Sequence, residues 1–152
     1  MVKSLKKPAL PGVVRFCIRR PAAKIAASAY TPSKLILVIQ DGLPVRELED
    51  LRASLALPME RLGPMLGISR ATLHRRKAGG RLGTAESDRV IRFARLMGRA
   101  VEVLESETNA RQWLASPQFG LGGAVPLDYA RTEVGAREVE DLLGRIEYGV
   151  YS

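Results

Sequence analysis

Apolar residues recur at helical spacing along most of the chain, and the elements can be read from that rhythm. Leu35, Val38 and Ile39 repeat until Gly42, which predicts a first helix starting at Thr31. Pro44 opens a second, in which Leu48, Leu51 and Leu55 share a face before Pro58. A third covers 58–66 and stops at Gly67; a fourth takes Ser69 as N-cap and ends near Gly79 and Gly80. Thr84 is expected to cap the fifth and longest helix, whose Val90, Ala94, Met97, Val101 and Leu104 form a core-facing stripe. A short helix over 109–114, a Pro/Gly-rich bend over 116–126 and a turn of helix follow. The last helix, over 134–148, lines one side with Val139, Leu142, Leu143 and Ile146 before Gly149 stops it. Nothing alternates as a strand would, so the expected fold class is all-α.

Residues 1–30 break the rhythm. They contain Pro8, Pro11 and Pro21, no acid and no sustained periodicity, and read as a basic, mobile arm. The stretch from Val13 to Ile18 is short and interrupted by Arg15, unlike a secretory core. An organellar transit sequence, an over-long start and a non-specific DNA-binding tail all stay open. The expected division is an arm over 1–30, a DNA-binding domain over 31–104 and a second helical domain over 105–152.

Composition narrows the class. With 152 residues, 46% hydrophobic and 26% charged, the chain is too apolar for disorder and too polar for a membrane protein. Aromatics at 5% favour helices over strands. The longest apolar run, 35–39, is far short of the roughly 20 residues of a membrane span, so no membrane partner is expected. A single cysteine, Cys17, supports neither an intrachain disulfide nor a zinc site, and points to the cytoplasm.

The net charge of +8 is unevenly spread: +8 over 1–40, −3 over 41–60, +8 over 61–99 and −5 over 100–152. A basic block inside a folded region attracts polyanions, of which nucleic acid is the commonest in cells, although a solvated helix face would look the same.

The stretch from Leu62 to Leu73 has the parts of a DNA-reading helix-turn-helix. Gly67 supplies the turn, Gly63 the small contact between helices, and Leu62, Leu66, Ile68 and Leu73 the apolar locks. At about 100° per residue, Ala71, His74 and Arg75 point away from that core. Ser69 and Arg70 sit at a helix N-terminus, where a phosphate is favoured. Arg75 is the best candidate to grip a guanine edge, and Lys77 and Arg81 suit backbone phosphate. Two features depart from the pattern. Pro64 falls inside the first helix, which must be bent or begin late, and Arg76 stands where an aliphatic lock usually does. The alternative is an ordinary helical hairpin with a basic face. His74 is the only histidine and its basic neighbours repel a cation; Cys17 lacks a nearby base. No catalytic residue, metal ligand or cofactor is expected, and the chain reads as no enzyme.

The run GISRATLHRRKAGGRLGTAESDRV and the tail WLASPQFGLGGAVPLDYARTEVGAREVEDLLGRIEYGVYS resemble the antitoxins of RES-Xre toxin–antitoxin pairs, the MbcA/ParS/Xre family. The likeness covers about 35–152. Its tail motifs are Trp113-Leu114, Pro117, Leu121-Gly122-Gly123, Pro126-Leu127, Thr132-Glu133 and the closing run from Arg145 to Val150. The resemblance implies an Xre-like helix-turn-helix domain followed by a small helical toxin-binding domain. It also implies a RES-domain toxin partner that consumes NAD or uses it for ADP-ribosylation, blocked at its NAD pocket by the antitoxin's C-terminal end. Many members repress their own operon. Carried onto this chain, Ser69, Arg70, Ala71, His74 and Arg75 would face operator DNA. Toxin contact would fall within 117–152, at Pro117, Leu121 and Arg131, with Arg145, Glu147, Tyr148, Val150, Tyr151 and Ser152 towards the pocket. Which side chain enters stays open. Trp113 is expected to pack the C-terminal core, whereas Tyr148 and Tyr151, beside a glycine stop, have little core to join. Symmetric operators imply a homodimer within a larger toxin–antitoxin complex. A stand-alone helix-turn-helix repressor without a toxin is the alternative.

Overall fold

The computed structural model describes residues 12–19 and 30–149, and among them no strand occurs. The helices are α1 (Val13–Arg19), α2 (Pro32–Asp41), α3 (Val45–Leu55), α4 (Met59–Met65) and α5 (Arg70–Gly79). They are followed by α6 (Thr84–Leu104), α7 (Glu107–Leu114), a 3-10 turn (Phe119–Leu121), α8 (Pro126–Tyr129) and α9 (Glu133–Glu147). The all-α expectation therefore holds, with boundaries within a few residues of those read from periodicity.

The 21-residue α6 is the spine. Val90, Ala94 and Met97 of its expected stripe are fully buried, and α1, α2, α3, α7 and α9 all pack on it. One continuous apolar core runs from Val13 to Leu143. Its N-cap is Gly83, not Thr84: the Gly83 N–H donates to Glu86 Oε2 at 2.7 Å, while the Thr84 hydroxyl donates to the Gln40 carbonyl at 3.3 Å. A Glu three residues into a helix can serve the cap N–H whatever the cap residue is, and here that contact decides.

Part of the arm is folded. Residues 13–19 form α1, with Val13, Val14, Cys17 and Ile18 buried. This corrects the expectation of a mobile arm over that stretch, and of a mobile Cys17. Seven residues are too few to hold a helix by propensity, and tertiary contacts supply the rest. The buried Glu47 carboxylate accepts from the Val13 N–H at 3.1 Å and the Val14 N–H at 3.0 Å, meeting two of the otherwise orphaned donors of the first turn. The ring of Phe16 meets that of Tyr30 edge-on at 5.0 Å. Burial, and next the Glu47 charge, raise the Tyr30 phenol above its ordinary value.

Candidate functional site

The helix-turn-helix is α4, the turn 66–69 and α5. The helix before the turn is short and starts at Met59, within a residue of the expected start, so it does not begin late; Pro64 lies inside it, one residue from its end. Leu62, Gly63, Leu66 and Ile68 are buried, and the Ile68 N–H donates to the Gly63 carbonyl at 2.8 Å. A Cβ at position 63 would lie 3.1 Å from the Ile68 oxygen, which is why a small residue sits there. Gly67 takes φ +69, a conformation that side chains disfavour. The Arg89 guanidinium closes over it, and Arg89 Nη1 donates to the Leu66 carbonyl at 3.1 Å.

Ser69 caps α5 by accepting from the Thr72 N–H at 3.2 Å. Ser69, Arg70, Ala71, His74, Arg75 and Lys77 are all exposed, whereas Leu73 is half-buried against the core. All six are open to solvent on a helix that buries none of its residues fully. Arg81 is exposed, with one of its donors engaged. Its Nη1 donates to the Gly42 carbonyl at 2.8 Å, alongside the short bridge between Pro44 and Arg81, and that ties its guanidinium to the α2–α3 connection.

Arg76, standing in place of an aliphatic lock, solves the same problem electrostatically. Its Nε lies 3.0 Å from Glu86 Oε2, and the same carboxylate receives the Gly83 N–H, so the end of α5 is tied to the start of α6.

The residues expected at the C-terminal surface do not form one group. Leu121 is buried under α9, in a turn where a Cβ at Gly120 would strike Leu142. It belongs to the core, where its apolar side chain is shed from water. Pro117 is exposed. Arg131 lies just before α9 and donates from Nη2 to the Pro64 carbonyl at 3.0 Å, so it reaches towards the helix-turn-helix. The far end of α9 carries three others: Glu147 is hydrogen-bonded to Arg99, Arg145 is half-buried with Nε lacking a hydrogen-bond partner among the described residues, and Tyr148 is 80% exposed. The bond to Glu147 raises Arg99 further above its usual value. A shallow depression at this end is lined by Arg99, Glu140, Asp141, Gly144, Arg145 and Tyr148. Val150, Tyr151 and Ser152 lie outside the described residues. Trp113 is half-buried against the core, in keeping with a packing role.

Sequence reasoning passed over Phe119, which is 97% exposed in the turn between Pro117 and Leu121. Its signal was an aromatic residue in a Gly-rich bend with no periodic partner. Among the described residues no group of three or more His, Cys, Asp or Glu is placed to hold a metal, and no helix is long and apolar enough to cross a membrane.

Comparison with known proteins accounts for both surfaces. Residues 34–95 match the Antitoxin Xre-like helix-turn-helix domain, and residues 99–149 match the Antitoxin Xre/MbcA/ParS C-terminal toxin-binding domain. The chain is 34% identical to Antitoxin Xre of Yersinia enterocolitica over 85% of its own length and 88% of the relative's. It is 33% identical to Antitoxin Xre of Photorhabdus laumondii, over 76% and 79%. To the Prs ADP-ribosylating antitoxin of Sphingobium sp. it is 30% identical, over 87% and 89%. All three are named as antitoxins, a regulatory class and not one of enzymes. The chain therefore belongs to the Xre/MbcA/ParS antitoxin family, with an Xre-like helix-turn-helix followed by a C-terminal toxin-binding domain.

Proposed function

We propose that this antitoxin neutralises a RES-domain toxin that consumes NAD or uses it for ADP-ribosylation. The end of α9 and the residues after it cover the toxin's NAD pocket, and α5 reads operator DNA to repress the antitoxin's own operon in the cytoplasm. On this reading the DNA-binding unit is 31–104 and the toxin-binding unit 105–152. The observation that carries the toxin half is the end of α9, where Tyr148 is 80% exposed and Arg145 Nε is buried without a partner among the described residues. Aromatic and arginine side chains of this kind are the usual anchors of a protein interface. The DNA half rests on the solvent face of α5, where His74, Arg75 and Lys77 are exposed and none pairs with a carboxylate among the described residues. A homodimer matches a symmetric operator, and the exposed Ile36 and Leu37 of α2 are apolar surface of the kind such a contact buries.

Deleting 148–152 tests the first half. Toxicity of a co-expressed RES-type protein returns while affinity for the promoter DNA is unchanged; neutralisation that survives the deletion sinks occlusion. Arg75→Ala tests the second. It costs on the order of 1 to 3 kcal/mol on promoter DNA and less on random duplex, whereas equal losses make Arg75 a phosphate contact. A neighbouring gene that encodes no RES-type protein, with no complex on co-purification, reduces the protein to a stand-alone repressor.

A further inference from the structure

We propose that Arg131, although it belongs to the toxin-binding half, contacts the DNA backbone, and that with Arg89 it forms a fixed cationic collar around the turn into α5. The inference rests on the reading of α5 as the DNA-reading helix and extends that surface to a second part of the chain.

Two guanidinium groups from separate elements converge on residues 64–67. Arg131 Nη2 donates to the Pro64 carbonyl at 3.0 Å, and Arg89 Nη1 to the Leu66 carbonyl at 3.1 Å. The Arg131 main chain is itself held, because Arg92 Nη1 donates to its carbonyl at 3.3 Å. The next residues along are Ser69 and Arg70, the exposed start of α5.

The chemistry of these contacts sets them apart from the arginines that face a carboxylate. Arg76, Arg99, Arg111 and Arg137 each face a carboxylate within 4.0 Å, and that partner cancels much of their charge. Arg89 and Arg131 have no such partner among the described residues and are held by main-chain oxygens instead. A guanidinium carries five N–H donors, so one bond to a carbonyl leaves the charge and most donors for an anion. Its side chain is already ordered, which lowers the entropy cost of gripping a phosphate.

Position argues against the toxin contact that the family tail implies for this residue. Arg131 precedes α9, and Glu147 and Tyr148 close it; 15 residues at 1.5 Å each separate the two ends by about 22 Å. Arg131 instead stands against the block 61–99, whose net charge is +8.

Binding of the full chain to a fluorescent random-sequence 30-bp duplex, followed between about 50 and 200 mM KCl, tests this, because each phosphate contact contributes about one unit to the slope of log K against log salt. R131Q is expected to lower that slope by about one, with an unchanged melting temperature, and R131K to retain it. A slope unchanged in R131Q but lowered in K77A overturns the collar and leaves the α5 reading standing. Wild-type protein with no salt-dependent binding to the duplex overturns both. An unchanged slope with lost capture of a co-expressed toxin returns Arg131 to the toxin surface. Should R131Q fail to fold, phenylglyoxal labelling of the wild-type chain reads the same contact: the duplex shields Arg131 from modification, and equal labelling with and without duplex overturns the proposal.

Discussion

Gly98 of α6 meets the main chain of Cys17 so closely that a Cβ at position 98 would lie 2.0 Å from the Cys17 carbonyl oxygen. Two helices can approach this far only where one of them carries no side chain, and α1 docks on the spine at that point.

Gly98→Ala therefore forces α1 away from α6. The expected loss is of the size of core overpacking, about 1 to 3 kcal/mol, read as a lower midpoint in urea. Gly144 provides the opposite case: it lies within α9 with nothing within 4 Å of an added Cβ. Gly144→Ala is expected to stabilise by about 0.5 to 1 kcal/mol through helix propensity. A G98A protein as stable as wild type would show that α1 does not dock against Gly98.

Glu47→Gln should loosen α1 selectively. The carboxylate accepts two N–H bonds, and the amide replaces one acceptor oxygen by a donor facing another donor. The cost is about 1 to 3 kcal/mol for the group left unsatisfied. Amide hydrogen exchange checks it, because protection at Val13–Arg19 falls while that of Val90 and Ala94 is kept.

The Arg76–Glu86 pair is predicted to couple more strongly than Arg137–Glu133. The side chains of the first are 32% and 11% exposed, those of the second 73% and 67%. Double-mutant cycles with R76A/E86Q and R137A/E133Q should give about 1 kcal/mol or more for the first and below about 0.5 for the second. Equal coupling would mean that Arg76 does not lock α5 to α6.

The raised pKa of the Tyr30 phenol predicts a loss of stability in alkali. The folded state holds the proton more tightly than the unfolded chain, so the contribution is complete below about pH 10, the unfolded value, and disappears as pH rises through the folded value. Thermal melts of the wild type and Tyr30→Phe are expected to run parallel to about pH 9.5. The wild type alone then falls away; parallel curves throughout would refute the assignment.

Legibility in the sequence followed the source of stability. Helices α2 to α9 announced themselves because each carries its own apolar period or cap, as Leu48, Leu51 and Leu55 do for α3. Helix α1 did not, because what holds it is Glu47 and Gly98, more than thirty and seventy positions away. The exposure of Ala71, His74 and Arg75 was readable from the turn glycine and helical geometry. The bonds of Arg81 to Gly42 and of Arg131 to Pro64 were not legible, because a basic side chain looks alike whether it stands free or is bonded to a distant carbonyl. Leu121 was taken for a contact from its place in a motif, yet its side chain is needed beneath α9.

The spine has a practical consequence. The two family matches end at residue 95 and begin at residue 99, within α6, where the helix runs on without a break. Scissors placed there would split a rod, not a linker, and each fragment would carry a raw oily edge. Anyone wanting the helix-turn-helix or the toxin-binding domain alone should carry the whole of Thr84–Leu104 in the piece they express.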